Sequence, residues 1–460
     1  MSSATSWDPE ADDLARRAFA VCDRVLGLVG DRADALVSCG QGTSALTRFA
    51  NSRIHQNMAT DDHHVRLRAV VDGGRIAQAS TTRVDDDGLA RLVESTIAAA
   101  RLRPPDPEYP GLAPPADLHE VDHFDPDTAS ASPDTRAEIV AAFVAAGADL
   151  ESAGYCSTEA DTNVLCSTTG IRYASRSTMA QVDAIHRAAA TDGPPTDGYG
   201  QTTSRSVGDL DGQAVGERAA AKARSGVDPV ELDPGTYEVV LEAKAVAAML
   251  LFPAWQGFNA KAHAEGTSFA HLGEQQFDEQ ITLWDDATDP RALGRPYDAE
   301  GTAKRRVELV RDGVTVGLAH DRRTARLAGV EPTGHSLGQE SFGGYPADLF
   351  LQGGDRSLDQ LVAGVERGLL VTDLWYNRIL DPKTQVVTGL TRNGLFLIEG
   401  GEVTRPVQNL RYTQSVVGAL APGHVLGIGD DAQLVSNEGG IVHVPSLRLA
   451  AWSFTGNAQG

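Results

Sequence analysis

The stretch of this 460-residue chain that comes closest to a metal site is His263-Ala264-Glu265, followed by His271 and Glu274. Two imidazoles and two carboxylates could hold Zn²⁺ if one face of a helix presented them. His263 and His271 are eight residues apart, about 80° out of alignment on an ideal helix, and Gly266, Thr267 and Ser268 interrupt that helix. The spacing therefore reads as a polar loop, with an independent metal-dependent hydrolase built on these four residues as the alternative. Asp61-Asp62-His63-His64 is a second candidate. Adjacent residues of a strand point to opposite faces, which defeats convergence, and the run reads as a solvated turn. His55 stands in Asn51-Ser52-Arg53-Ile54-His55-Gln56-Asn57, a polar run that alternates as an edge strand does. No phosphate loop ending in Gly-Lys-Ser/Thr and no HExxH or HExxxH helix occurs. The stretch Gly338-Gln339-Glu340-Ser341-Phe342-Gly343 misses the GxSxG nucleophile elbow by one residue. These residues alone define no reaction.

The elements that would position them fall into two halves. Apolar residues recur at helical spacing from Ala11 to Val29. Short β-like runs follow at Ala35 to Cys39, Ala45 to Ala50, Val65 to Val71 and Arg75 to Ser80, the last two joined by the turn Asp72-Gly73-Gly74. Asp85 caps a helix from Gly88 to Arg101, and further helices are expected at Pro133 to Ala148 and Gly212 to Ser225. Between them lie strands at Tyr155 to Ala160, Asn163 to Thr168 and Arg172 to Ala190, then a loop from Gly193 to Gly200. A Gly/Pro/Asp-rich stretch near 225–235 marks the domain boundary, giving domains 1–225 and 226–460. The second half is largely β, with helices only at Ala243 to Trp255 and Ser357 to Arg367. Hairpin-connected strands without a βαβ repeat predict α+β, with a sandwich-like first domain and a barrel-like second.

Composition removes several functions. Forty Lys+Arg against 63 Asp+Glu leave a net charge of −23. That balance argues against nucleic acid or an anionic membrane as partner, because both need Lys/Arg patches. No apolar run is long enough to span a bilayer, and the acidic start MSSATSWDPEADD has no basic n-region or apolar stretch of a signal peptide. The expectation is a soluble, cytoplasmic protein. Its four cysteines, Cys22, Cys39, Cys156 and Cys166, read as buried free thiols, although the Cys156–Cys166 spacing would suit a bridge across a hairpin.

The order of motifs resembles the TldD/PmbA family. Arg48-Phe49-Ala50-Asn51-Ser52-Arg53-Ile54-His55-Gln56 is similar to its first block. Glu265-Gly266-Thr267-Ser268-Phe269 with Gly273-Glu274-Gln275 resembles the block after its zinc helix. Asp298-Ala299-Glu300-Gly301, Leu309 to Val314, Thr324 to Leu327, Pro332-Thr333-Gly334-His335-Ser336 and Gly394 to Val403 follow in family order.

The resemblance implies a two-domain protein of a heterodimeric metallopeptidase that cuts unfolded peptides. It implies that the TldD-like subunit carries HExxxH, with two histidine ligands and a general-base glutamate, aided by a cysteine near the C-terminus. Here Phe252-Pro253-Ala254-Trp255-Gln256-Gly257 stands at the helix position and Leu434-Val435-Ser436-Asn437-Glu438-Gly439 at the cysteine position. The expectation is a PmbA/TldE-like subunit with no catalytic or metal-binding residue of its own, paired with a TldD-like subunit that supplies zinc. Phe49 to Asn57 is the expected edge for peptide, with Asn51, Arg53 and His55 in contact, and Thr333, Gly334 and His335 form a loop near the cleft. A stand-alone homodimeric peptide-binding protein is a further alternative.

Overall fold

The computed structural model describes residues 7–191, 193–339 and 341–457. The first six residues of the acidic start and Glu340 of the elbow-like stretch lie outside the described residues. Strands β1 (Asp34–Ala50), β2 (Arg53–Val71), β3 (Arg75–Thr81), β4 (Glu151–Ser167), β5 (Arg172–Ala188) and β6 (Thr196–Ser204) form one antiparallel sheet in the order β3-β2-β1-β4-β5-β6. The expected strand pairs Ala35–Cys39/Ala45–Ala50 and Tyr155–Ala160/Asn163–Thr168 are each one strand of 17 residues. The expected loop at Gly193–Gly200 is largely β6, which pairs along β5 from Ala188↔Thr196 onward. Asp61 to His64 are not a turn either, but sit in mid-β2.

Strand parity divides the work of this sheet. Residues Val37 and Cys39 of β1, Val164 and Cys166 of β4 and Val182 and Ala184 of β5 point to one face. There they pack under α1 (Asp13–Val29), α2 (Asp86–Leu102), α4 (Pro133–Ala146) and α5 (Gly212–Ser225), with the one-turn α3 (Pro126–Ala129) beside them. The helices start where an aspartate or serine accepts from exposed N–H groups: Asp12, Asp85, Asp125, Ser132 and Asp211. All four cysteines are buried and free, three of them in the core under α1. The opposite parity, including Leu36, Leu165 and Tyr173, faces the second half, where Tyr297 donates to Asn163 O (3.1 Å).

The second half holds two open sheets, neither closed into a barrel. The nine-stranded one begins with β7 (Gly235–Leu241), which runs parallel to Arg367–Val371 and antiparallel to Leu447–Asn457. The expected helix Ser357–Arg367 is thus only Leu358–Ala363, and the chain then enters this sheet. A six-stranded sheet contains Leu283–Asp285, Leu349–Leu351 and the hairpin Gln433–Asn437/Gly440–Val444. Between the sheets lies α6 (Ala243–Phe252), apolar on nearly every side and buried accordingly. It ends at Pro253, whose missing N–H cannot continue the helix. The chain closes with a wider turn in which Phe258 N–H donates to Pro253 O (2.8 Å). No helix among the described residues is long and apolar enough to cross a membrane.

Candidate functional site: a cleft between the two halves

Lys244 is the polar exception on α6. With Ala248 and Leu251, four and seven residues on, it forms a stripe that lines a cleft of about 430 Å³. The free parity of β4, β5 and β6 supplies the facing wall, with Tyr155, Asp183 and Tyr199. Asp373, Trp375, Tyr376 and Asn393 close it from the second half, and Ser436 to Glu438 form its floor. The segment resembling the family's cysteine block therefore packs directly on the helix that leads into the position of its zinc motif: Asn437 Nδ2 donates to Ala247 O (2.9 Å).

The charges inside are unevenly partnered. Lys244 Nζ donates to Ser436 O (2.9 Å) and lies 5.4 Å from the Tyr199 ring centre. Asp183 Oδ2 accepts from Tyr199 OH (2.9 Å) and Gln181 Nε2 (3.3 Å). Burial pushes the Asp183 carboxyl above its usual range despite Lys244 nearby. Asp373 is only 6% exposed, and its carboxylate accepts from Asn393 Nδ2 at 3.3 Å. Burial, with Asp183 opposite, pushes it up to about 6 against the pull of Lys244 and Arg392. The Arg392 guanidinium is committed to the Trp375 ring, 3.8 Å from its centre. Tyr376 and Asn393 both hold φ of 58°, a left-handed backbone that costs a non-glycine residue energy.

Zinc does not fit the position that the resemblance assigns to it. Phe252, Pro253, Ala254 and Gly257 are buried and carry no side-chain donor, and Trp255 stacks between Phe252 and Phe342 at 6.2 and 5.7 Å. Gln256 offers one amide oxygen, which has no partner. Lys244 brings an ammonium to Ser436, where a divalent cation would be repelled. His263, Glu265, His271 and Glu274 lie exposed, Glu265 paired with Lys261. No group of three or more His, Cys, Asp or Glu among the described residues is arranged to hold a metal ion.

The other expected site residues separate into two places. Asn51 and Ser52, with φ of 49° and 58°, make the two-residue turn between β1 and β2, and Arg53 and His55 follow it, exposed. The run Phe49 to Asn57 is not one edge: Phe49 belongs to the end of β1, which is paired on both sides there. The free edge starts at Arg53 and extends to His64, because β3 covers only Val65 to Val71. Thr333 and His335 are 4% and 2% exposed. His335 bonds Asp285 Oδ1 through Nε2 (2.8 Å) and Thr333 Oγ1 through Nδ1 (2.9 Å), inside the second half. This half meets β2 at Arg68, which donates to Gly338 O (2.7 Å). Thirteen residues of strand, about 43 Å, separate Arg68 from His55, so the two sets do not meet. Sequence reasoning missed Asp183, Lys244 and Asp373. The available signals were single charged residues inside otherwise apolar segments, Val182-Asp183-Ala184 and Val371-Thr372-Asp373-Leu374.

A helix-backed antiparallel sheet, packed by its other face on a β-rich half with a cleft at the junction, defines a two-part α+β protein. Comparison with known proteins narrows the class. The family models "PmbA/TldA metallopeptidase domain 1" and "PmbA/TldA metallopeptidase C-terminal domain" match residues 36–100 and 234–456. "Metalloprotease PmbA" of Escherichia coli O157:H7 is 24% identical over 444 residues, 91% of this chain and 92% of that one. A "Metalloprotease" of Methanothermobacter thermautotrophicus is 25% identical over 229 residues, so the match spans about half the length of either chain (48% of each). The crystal structure of TldE from Thermococcus kodakarensis shares the fold, with a TM-score of 0.85 at 18% identity, covering 95% of this chain and 100% of that one. The chain belongs to the PmbA/TldD metallopeptidase family.

Proposed function

We propose that this chain is the subunit without zinc in a TldD/TldE-type heterodimeric metallopeptidase of the cytoplasm. It completes a chamber for unfolded peptide, and a TldD-like partner carries the metal. One observation carries the reading: the fold of a metallopeptidase family is kept while the zinc position holds Phe252 to Gly257 and a neighbouring lysine. In this reading the halves 1–225 and 226–460 act as two domains that form the cleft wall together.

The open edge of β2 supports a role in holding peptide. From Arg53 to Asp62 nearly every residue is exposed, and the outer backbone groups have no strand partner among the described residues. An extended peptide added there gains main-chain hydrogen bonds with little sequence preference. Gln56 pairs with Arg48, which pairs with Tyr155 in the cleft wall. That edge is therefore two strand spacings, about 10 Å, from the cleft. Asn51, Arg53 and His55 are the residues that such a peptide meets first.

The test is co-expression with a paralogue containing HExxxH, followed by sizing, metal analysis and a peptidase assay. The expected result is a 1:1 complex active only when both chains are present, with zinc in the partner alone. Stoichiometric zinc in this chain by itself, lost on His263→Ala, would favour the independent hydrolase. A homodimer that ignores the paralogue would favour the stand-alone binding protein.

A further inference from the structure

The walls of the cleft have a deficit of positive charge. Asp183 and Asp373 come from different halves and face the same void, and Lys244 is the ammonium placed between the walls. Lys244 is held to Ser436 O and the Tyr199 ring, and Arg392 is held flat against Trp375. Asp373 is more than nine-tenths buried, and among the described residues its one hydrogen-bond donor is the Asn393 amide, on Oδ2. A carboxylate in so enclosed a place completes its hydrogen bonds with protein, water or ligand, and the side of Asp373 left free by Asn393 opens to the cleft. The space there is large enough for a ligand group to complete them. The rim is aromatic: Trp375 and Tyr376 are 40% and 57% exposed and meet edge to face at 4.8 Å. Tyr376 is held there by a left-handed backbone, and so is Asn393, the donor to Asp373. Arg392 and Arg378 already lie over the Trp375 and Tyr376 rings, at 3.8 and 5.1 Å, so a further organic cation entering past this rim is drawn to the carboxylates of the walls.

We propose that this cleft binds the alkylammonium group of an extended peptide against Asp373 and Asp183. The group is either a protonated α-amino terminus or a lysine side chain. The proposal rests on the reading of the chain as a peptide-handling subunit, and gives the cleft a task in it: to anchor one charged end of the peptide.

The full chain is titrated with three octapeptides of Ala, Ser and Gly that carry a C-terminal fluorophore, read by fluorescence polarisation. One has a free amino terminus and no lysine. The second is N-acetylated with one lysine, and the third is N-acetylated with norleucine in its place. The expected result is that one or both ammonium-bearing peptides bind at least about tenfold tighter than the third, the scale of a charge-assisted hydrogen bond. Which of them does so identifies the source of the charge. Asp373→Asn removes that preference while the protein melts no lower than wild type, and Asp183→Asn weakens it. Equal binding of all three peptides, binding of none, or a preference that survives Asp373→Asn overturns the proposal. Failure to pair with the HExxxH paralogue would remove the heterodimer reading but leave this preference intact, so the two can fail separately.

Discussion

Two buried polar clusters in this molecule have similar ingredients and opposite states. In the first, Asp285 Oδ1 accepts from His335 Nε2 (2.8 Å) and Oδ2 from the Asp348 backbone N–H (2.7 Å). Lys304 Nζ donates to Asp348 (2.7 Å), and Thr333 Oγ1 bonds both backbone groups of His320. In the second, the cleft, Asp373 has Asn393 and a void. Burial pushes both carboxyls up, but His335 and Lys304 outweigh it at Asp285 and hold that group below the usual carboxylate range. At Asp373 nothing does, and the group rises to about 6. Burial alone therefore does not separate a structural cluster from a binding one. The count of countercharges and donors does.

The largest expected effect follows from the closed cluster. His335→Ala leaves the Asp285 carboxylate buried and without its main partner, which costs about 3–5 kcal/mol of stability. Urea unfolding measures it. A loss under about 1 kcal/mol would mean that this cluster, too, has slack, and the contrast with the cleft would collapse.

The next effect has the opposite sign. An unfolded aspartate titrates near 3.9, and Asp373 in the folded chain at about 6. The folded state thus binds the extra proton between about pH 4 and 6, so this group's contribution to stability falls as pH rises through that window. Above about pH 6 the buried charge costs about 3 kcal/mol. Asp373→Asn should therefore be more stable than wild type at pH 7.5, by up to that amount, and equal to it near pH 4. Urea midpoints at the two pH values check this. Equal stability at pH 7.5 would show that Lys244 and Arg392 already neutralise the group, and the cleft would need no external cation.

The sequence made the helices and the fold class legible, for a physical reason. Helix Gly212–Ser225 and the cap at Asp85 are local patterns, fixed by periodicity and one hydrogen-bonding side chain. Of the long strands, Arg172–Ala188 was legible along its length, whereas β1 and β4 each read as two shorter runs and β2 only in part, its outer half being exposed on both faces. Arg53 to Asn57 read as an edge strand, but from Met58 to His64 no buried face sets a pattern and Asp61 to His64 read as a turn, although the strand continues. The loss of the zinc donors was visible only through the family's motif order. The cleft was not visible at all, since Asp183 and Asp373 lie 190 residues apart and meet only when the two halves pack. Thr333 and His335, expected in a loop near the cleft, are buried inside the second half. Gly334 is needed there for a φ of 78°, and a Cβ at this position would lie 2.6 Å from Ala303 O.

The smallest effect on stability is expected at the open edge of β2, where the contrast between satisfied and unsatisfied groups concerns backbone instead of carboxylates. Ile54 and Met58, 38% and 50% exposed, are the apolar side chains on this edge. The charged pair Asp61-Asp62 lies toward the part where β3 takes over. Proteins commonly blunt a free edge with charge, and this one is left bare over the stretch nearest the cleft. Met58→Glu adds the missing charge at a solvated position, so stability should change by no more than about 0.5 kcal/mol. If the edge takes up peptide, the same change weakens binding of even the uncharged, acetylated peptide, because it acts on strand addition and not on the ammonium pocket. Asp373→Asn should do the reverse, leaving that residual binding intact. Peptide binding that is indifferent to Met58→Glu, and to Ile54→Glu together with it, would take β2 out of the peptide path and leave the cleft as the site to which peptide is held.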